Sequence, residues 1–312
     1  MSDRTPSSIL RLGTRGSALA LAQARLAAAA LARAHSLPES RIELQPVQTV
    51  GDRVQDRPLA DIGGKALWTK ELDLALLDGR IDFAVHSMKD VETVLHPGIV
   101  IAAVLPRGDP RDRLLGADRI ADLPAGAVVG TSSPRRAAQL RNRRPELRVA
   151  NLRGNVETRM RQVAEGRVAA TFLAAAGLDR LGLEAGAPLP IDGWLPASAQ
   201  GIIGITCRAD DADTRALLAA ISDAPSFTRL VAERAVLEGI GGDCHTSIAV
   251  HADFAPDLRL RAELLSPDGA ERVDAEMWGQ DDPRQLGLLL AAQLLERATP
   301  AMRASLGAGG GG

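Results

Sequence analysis

The stretch from Ile9 to Val50, ILRLGTRGSALALAQARLAAAALARAHSLPESRIELQPVQTV, decides how the chain is read. Ile9 to Gly13 is an apolar run of strand length, Thr14-Arg15-Gly16-Ser17 is a polar loop, about 18 to 34 is an Ala/Leu-rich helix, and Ile42 to Val50 is a second strand. Strand, helix, strand is the start of a βαβ unit, and such units lay down parallel sheets. Ala18 to Ala32 has some likeness to the apolar core of a secretion signal. Gln23 and Arg25 interrupt it, however, and a strand and Ser17 precede it, so it reads as an amphipathic helix.

Downstream, a helix from about Leu67 to Leu77 is followed by a short strand, Asp82 to Val85, that runs into His86-Ser87-Met88-Lys89-Asp90, and by a strand near Ile99 to Val104. The pattern then restarts: strand Ala127 to Gly130, a Thr131-Ser132-Ser133 turn, a helix opening at Pro134, strand Leu147 to Asn151, a helix near Val156 to Glu165, and strand Val168 to Leu173. The restart predicts a second α/β lobe. Ser133 before Pro134 is a helix start, because the serine oxygen accepts orphan N–H groups and Pro at the first helical position gives up no donor. Capping accounts for Ser133, while Thr131 and Ser132 on the strand side stay available to a ligand.

A Pro/Gly/Ala-rich stretch, Glu184 to Gln200, separates this lobe from an apolar segment, Gly201 to Cys207, that could return to the first lobe. Helices near Asp211 to Ile221 and Ser226 to Leu237 follow. Ser247 to Val273 alternates like antiparallel strands about Pro267-Asp268-Gly269, and a helix from about Pro283 to Arg297 completes a small α+β region. The Gly309 to Gly312 tail is expected to be disordered.

A length of 312 residues accommodates two or three domains, and 46% apolar with 24% charged residues is ordinary for a globular protein. A net charge of -2 argues against a chain that coats nucleic acid, and 2% aromatic residues with no Tyr excludes base-stacking platforms. No apolar run approaches the ~20 residues of a membrane span. The two cysteines, Cys207 and Cys244, lie far apart in a large chain and fit a reducing compartment, so a cytoplasmic protein with neither nucleic-acid nor membrane partners is expected. The sequence has no zinc, P-loop or dinucleotide motif, and no metal is expected.

Of the 37 basic residues 34 are Arg, and the three lysines, Lys65, Lys70 and Lys89, fall within 25 residues, where a compact point charge serves better than a guanidinium fork. From Arg135 to Arg167 ten arginines face three glutamates, a local balance of +7 that leaves -9 for the rest of the chain. So local a field suits a cleft for a small polyanion.

Asp90, at the end of a buried strand, is a candidate carboxylate for holding developing positive charge or moving a proton, with helix capping as the alternative. Gly63-Gly64-Lys65 allows close backbone approach and supplies a cation. In Gly241-Gly242-Asp243-Cys244-His245 the histidine favours a thiolate and the aspartate opposes it, whereas Cys207 after Gly204-Ile205-Thr206 reads as a buried strand cysteine.

Nine segments in order resemble the hydroxymethylbilane synthase (porphobilinogen deaminase) family, from about Leu10 to the last helix. They are GTRGSALALAQ (13–23), IGGKALWTKEL (62–72), DFAVHSMKDV (82–91), DPRD (109–112), GTSSPRRAAQL (130–140), LRGNVETR (152–159), AAAGLDRLGL (174–183), AQGIIGITCR (199–208) and AERAVL (232–237). The resemblance implies an α/β fold of two lobes similar to periplasmic binding proteins plus a small C-terminal α+β domain. Residues 1–104 with about 201–220 would form a discontinuous first lobe, 105–200 the second, 221–306 the C-terminal domain and 307–312 a disordered tail.

The activity implied is that of a transferase of porphyrin (haem) biosynthesis. It would condense four porphobilinogen molecules head to tail, with loss of ammonia, onto a dipyrromethane cofactor, then release hydroxymethylbilane by hydrolysis, working as a monomer. Cys244 is implied as the thioether attachment site, and Asp90, as a buried carboxylate, would stabilise the cationic pyrrole left when ammonia departs. Implied contacts to cofactor or substrate are Arg15, Ser17, Lys65 and Lys89 in the first lobe. In the second they are Thr131, Ser132, Ser133, Arg135, Arg136, Arg153, Arg159, Arg180 and Gln200. Trp68 stands in an active-site loop where the family often has Phe.

The chain also departs from the family pattern. Asp61 replaces a frequent Lys, Asp243 and Ser247 flank Cys244 unusually, and Ala197-Ser198-Ala199-Gln200-Gly201 replaces a more usual Ala-Val-Gly-Gln-Gly. These departures motivate a second reading, a catalytically degenerate anion- or pyrrole-binding protein on the same fold.

Overall fold

The structure, a computed structural model, describes residues 9–47, 69–243, 245–279 and 282–307. In chain order its elements are β1 (Leu10–Arg15), α1 (Ala18–Ala34), β2 (Ile42–Val47), α2 (Lys70–Leu77), β3 (Phe83–Ser87), β4 (Ile99–Val104), β5 (Asp112–Leu115), β6 (Val128–Gly130), α3 (Pro134–Arg143), β7 (Arg148–Ala150), α4 (Val156–Ala164), β8 (Ala170–Ala174) and α5 (Ala175–Arg180). There follow β9 (Ala187–Pro188), β10 (Ile203–Arg208), α6 (Ala212–Ala219), α7 (Ala224–Gly239), β11 (Ile248–Phe254), β12 (Leu258–Leu265), β13 (Arg272–Gly279), α8 (Pro283–Arg297) and α9 (Pro300–Gly307). The chain divides into two compact units, one of Met1–Arg107 with Ile202–Phe227, the other of Gly108–Gly201 with Thr228–Gly312.

The first unit holds a five-stranded sheet in the order β2-β1-β3-β10-β4. β1 runs parallel to β2 and β3, while β10 lies antiparallel between β3 and β4. Helix α1 buries Ala20, Ala24, Ala27 and Leu31, a spacing of four, three and four that keeps one face on the sheet. Small alanines let it lie close to the strands, and Leu31 joins Leu12, Phe83, Ile205 and Cys207 in a core with no exposure. Full burial of one such leucine contributes about 2 kcal/mol. Gly204 of β10 lies under Met88, where a Cβ would overlap the methionine sulfur, so the turn after β3 can rest on β10 only at a glycine.

In the second unit a sheet of order β7-β6-β8-β5-β9 follows the same plan, with β7, β6 and β8 parallel and β5 antiparallel beside β8. Its core contains Leu114, Val129, Leu140 and Phe172, and Trp194 stacks on Phe172 with ring centroids 5.0 Å apart. β5 and β9 are not among the strands expected from the sequence. With 4 and 2 residues they are too short to show a periodicity. The unit also contains the antiparallel sheet β11-β12-β13, whose inner face forms one core with Val236 of α7, Leu290 and Leu294 of α8, and Met302 of α9. Among the described residues, no helix is long and apolar enough to cross a membrane and no cluster of His, Cys, Asp and Glu could hold a metal ion.

Candidate functional site

In the first unit the connections from the parallel strands diverge at β1, with β2 on one side and β3 on the other. The loops at the carboxyl ends of β1 and β3 therefore leave room between them. A cleft of about 60 Å³ lies there, lined by Arg15, Ser17, Gln23, Thr69, Ser87 and Asp90 among others. Ser17 caps α1, its Oγ accepting the Ala20 N–H at 3.2 Å. The buried Thr14 hydroxyl donates to the Ala20 carbonyl at 3.2 Å, and the buried Gln23 amide donates to Ser87 Oγ at 2.7 Å. These bonds set the rim of the cleft from within α1.

His86 lies beneath, its Nε2 2.9 Å from Thr206 Oγ1. Burial, reinforced by the positive charge of Arg15, pushes its pKa down to about 4, so the ring is neutral near pH 7. The buried run of β3 then ends in a single 3-10 turn, Met88–Asp90, with Met88 inside, Lys89 half-buried and Asp90 exposed. The expectation of a buried Asp90 is corrected here: the turn points Met88 inward onto Gly204 and leaves the carboxylate at the cleft surface. Lys65, Trp68 and Cys244, together with Asp61, lie outside the described residues.

In the second unit the turn after β6 is built as the sequence reading had it at Ser133, which caps α3 by accepting the Arg136 N–H at 3.4 Å. Thr131 Oγ1 accepts the Ser133 N–H at 3.1 Å, and Ser132 Oγ accepts from Arg159 Nη2 at 3.3 Å. Arg159 Nε also donates to the Gly154 carbonyl at 3.0 Å. Gly154 has φ +112, and a Cβ there would crowd Thr158 at the start of α4. Ser132 and Arg159 are thus brought together, with Arg153 half-buried just before that glycine.

Arg135 and Arg136 are 3% and 6% exposed, and both guanidinium groups have internal partners. Asp112, at the start of β5, accepts from Arg135 Nη2 at 2.9 Å, from Arg136 Nε and Nη2 at 3.2 and 2.6 Å, and from Gln200 Nε2 and Trp194 Nε1 at 2.8 Å each. Burial alone would raise this carboxyl, but the charges of Arg135 and Arg136 and the hydrogen bonds of Arg136 and Gln200 outweigh it and hold it well below the usual carboxylate range. Arg135 Nη1 and Gln139 Nε2 both donate to the Leu195 carbonyl at 3.0 Å. Arg180 Nη2 donates to the Gly201 carbonyl at 2.5 Å, and burial pushes its guanidinium down to about 10.

Arg135, Arg136 and Gln200, expected as ligand contacts from the family resemblance, are all bonded to Asp112, which has no role in that expectation. A signal for Asp112 was present. Two adjacent arginines in the first turn of a buried helix need a buried carboxylate opposite them, and DPRD (109–112) supplies one.

The fold and these groups define a class: a two-unit mixed α/β protein in which cationic and hydroxyl side chains gather at the carboxyl ends of parallel strands in each unit. Two models of one family match the chain. That described as porphobilinogen deaminase, dipyrromethane cofactor binding domain, matches residues 10–216, and that of the porphobilinogen deaminase C-terminal domain matches residues 227–296. The porphobilinogen deaminase of Sphingopyxis alaskensis is 52% identical over 307 residues, 96% of this chain and 97% of the relative. That of Paracoccus denitrificans is 51% identical over 300 residues, 94% and 96% of the two chains. A ligand-binding component of an ABC-type import system from Staphylococcus aureus matches with a TM-score of 0.39 at 15% identity, over 74% of this chain and 73% of that one, which decides nothing further. The chain belongs to the porphobilinogen deaminase family, a family of transferases.

Proposed function

We propose that this chain condenses four porphobilinogen molecules, with loss of ammonia, onto a dipyrromethane primer held by Cys244 through a thioether, and then releases hydroxymethylbilane. The observation that carries this reading is the match of both family models across nearly the whole chain, with Asp90 and Arg15 on a cleft at the strand ends.

The donor set fits the cofactor. Each porphobilinogen carries two carboxylates, so the cofactor and the growing chain are polyanionic, and guanidinium forks bind carboxylates in pairs of hydrogen bonds. Arg15, Ser17, Lys65 and Lys89 from the first unit and Thr131, Ser132, Ser133, Arg153, Arg159 and Arg180 from the second are assigned to hold cofactor and substrate. Arg135 and Arg136 carry one more positive charge than Asp112 cancels, a field that favours anions nearby, and Gln200 is held in the same cluster.

When bound, the dipyrromethane supplies the nucleophilic pyrrole carbon to which the first substrate is joined. Asp90 offers an exposed carboxylate oxygen that holds the substrate pyrrole N–H. As the carbon–nitrogen bond to ammonia breaks, it faces the positive charge left on the porphobilinogen. His86, kept neutral by burial, adds no competing cation beneath it. Beside residue 244, the Asp243 N–H donates to Thr246 Oγ1 at 3.0 Å and the His245 N–H to Asp243 Oδ1 at 2.8 Å. Trp68 is assigned to the active-site loop. The reading includes a cytoplasmic monomer, since a thiol that must be loaded as a thioether needs a reducing compartment. It also includes a C-terminal domain of residues 221–306, supported by the separate family model over residues 227–296.

Intact-protein mass spectrometry with peptide mapping tests this. The expected result is a mass excess of two linked pyrrole units on Cys244 and release of hydroxymethylbilane from porphobilinogen. An unmodified Cys244 that stays unmodified with porphobilinogen or preformed hydroxymethylbilane would replace this reading with the non-catalytic one.

A further inference from the structure

We propose that Glu233 is a positioning residue for this reaction. From helix α7 it clamps the backbone of Ala199 and thereby fixes the turn that presents Gln200. The inference rests on the function proposed above.

The turn 197–201 has an unusual backbone. Ala199 has φ +59 and Gly201 has φ +88, so two left-handed residues flank Gln200. Glycine takes such angles freely, whereas a residue with a Cβ avoids them unless its surroundings hold it there. Ala199 is 1% exposed, and its N–H donates to Glu233 Oε2 at 2.5 Å. The other oxygen of the same carboxylate, Oε1, accepts the Ala252 N–H of β11 at 2.7 Å.

Glu233 has no solvent exposure. A carboxyl group is costly to bury for packing alone; this one accepts a backbone N–H on each oxygen at once, and His251 Nδ1 lies 3.9 Å from its Oε1. No neutral side chain of that size does the same. A glutamine offers one oxygen, and its NH2 group would confront the second backbone N–H.

The remaining bonds of the turn lead to groups already placed in the site. Gln200 Nε2 donates to Asp112 and to the Pro110 carbonyl, both at 2.8 Å, and the Gly201 carbonyl accepts from Arg180 and from the Gly108 N–H. β11 is tied to the same segment a second time, through the Val250 N–H to the Pro196 carbonyl at 3.1 Å. Helix α7, which carries Glu233, leads within five residues of its end to position 244. One buried carboxylate thus joins the Gln200 turn, the helix leading to the attachment position and the strand after it.

The test compares wild type, E233Q and the double variant E233Q/A199G in the full-length, cofactor-loaded protein. It reads KM and kcat for porphobilinogen, the urea midpoint, and hydrogen exchange at the Ala199 amide. If Glu233 acts through the conformation of residue 199, E233Q raises KM by about tenfold or more with kcat changed much less, and the Ala199 amide loses protection. Glycine at 199 adopts the positive φ without the clamp, so the double variant recovers most of the lost KM. Should E233Q not fold, E233D, which keeps the charge and shortens the reach, carries the same comparison.

Wild-type kinetics in E233Q overturn the inference and leave the proposed function standing. A KM defect that A199G fails to rescue also overturns it, because Glu233 then acts by some route other than Ala199. A wild-type chain that consumes no porphobilinogen overturns both.

Discussion

Replacing Asp112 by Asn removes the carboxylate that pairs directly with two buried arginines while keeping the side chain's shape. Arg135 and Arg136 would then be buried with like charges side by side, and the new amide NH2 would face donors from Arg135, Arg136, Gln200 or Trp194. Breaking a buried ion pair from one side costs about 3–5 kcal/mol, a large part of the roughly 5–15 kcal/mol that holds a domain together. With a urea dependence of about 2 kcal/mol per molar, the unfolding midpoint of the second unit should fall by about 1.5–2.5 M.

Trp194 is a built-in reporter, because it is 2% exposed, stacks on Phe172 and donates its indole N–H to Asp112. Its fluorescence follows the transition and registers the altered hydrogen bond before unfolding. The pH dependence has a definite sign. The folded Asp112 carboxyl lies well below its unfolded value of about 3.9, so its contribution is complete above about pH 5 and is lost as pH falls from there toward the depressed folded value. The variant lacks that titration, and the midpoints of the two proteins should converge on acidification. A D112N midpoint within about 0.3 M of wild type at pH 7 would refute the claim that this ion cluster holds the unit together.

Three further outcomes are expected. The His86 ring should titrate by NMR near 4: between the unfolded value of about 6.5 and that point the unfolded chain takes a proton the folded chain refuses, so its stability contribution is present above about pH 6.5 and declines below it. A midpoint at or above 6 would contradict the burial argument. Cys207, whose thiol burial pushes up to about 11, should resist iodoacetamide at pH 8 in the native protein and react once urea unfolds it, and rapid native labelling would show the strand to be open. Asp90→Ala should lower turnover by about a hundredfold or more with the urea midpoint unchanged, because Asp90 is exposed, and a near-normal rate would remove it from the chemistry.

Local features were the legible ones. A 17-residue Ala/Leu run with a serine before it is a helix whatever surrounds it, and the helix over 18–34 occupies the residues read for it. The Ser133-Pro134 start and the buried strand cysteine Cys207 are likewise decided by near neighbours in the chain. What resisted reading was fixed by residues distant in sequence. The pairing of Arg135 with Asp112 is a contact across 23 positions, and the exposure of Asp90 depends on Met88 seating against Gly204. Ala199 falls between these cases. Its difference from the family's usual glycine is visible in the sequence, but only the positive φ gives that difference a physical meaning.

The placement of β10 has a consequence for how the chain is made. β3 and β4 do not touch as neighbours in the sheet, because the strand between them comes from residues 203–208. A nascent chain that has emerged only to Arg107 therefore has two open strand edges facing a slot with no occupant, and such edges invite pairing with other chains. All of Gly108–Gly201 must be synthesised before that slot can be filled. The first unit to begin in synthesis is thus bound to close late, and its interval of exposure is set by the time the ribosome takes to complete the intervening segment.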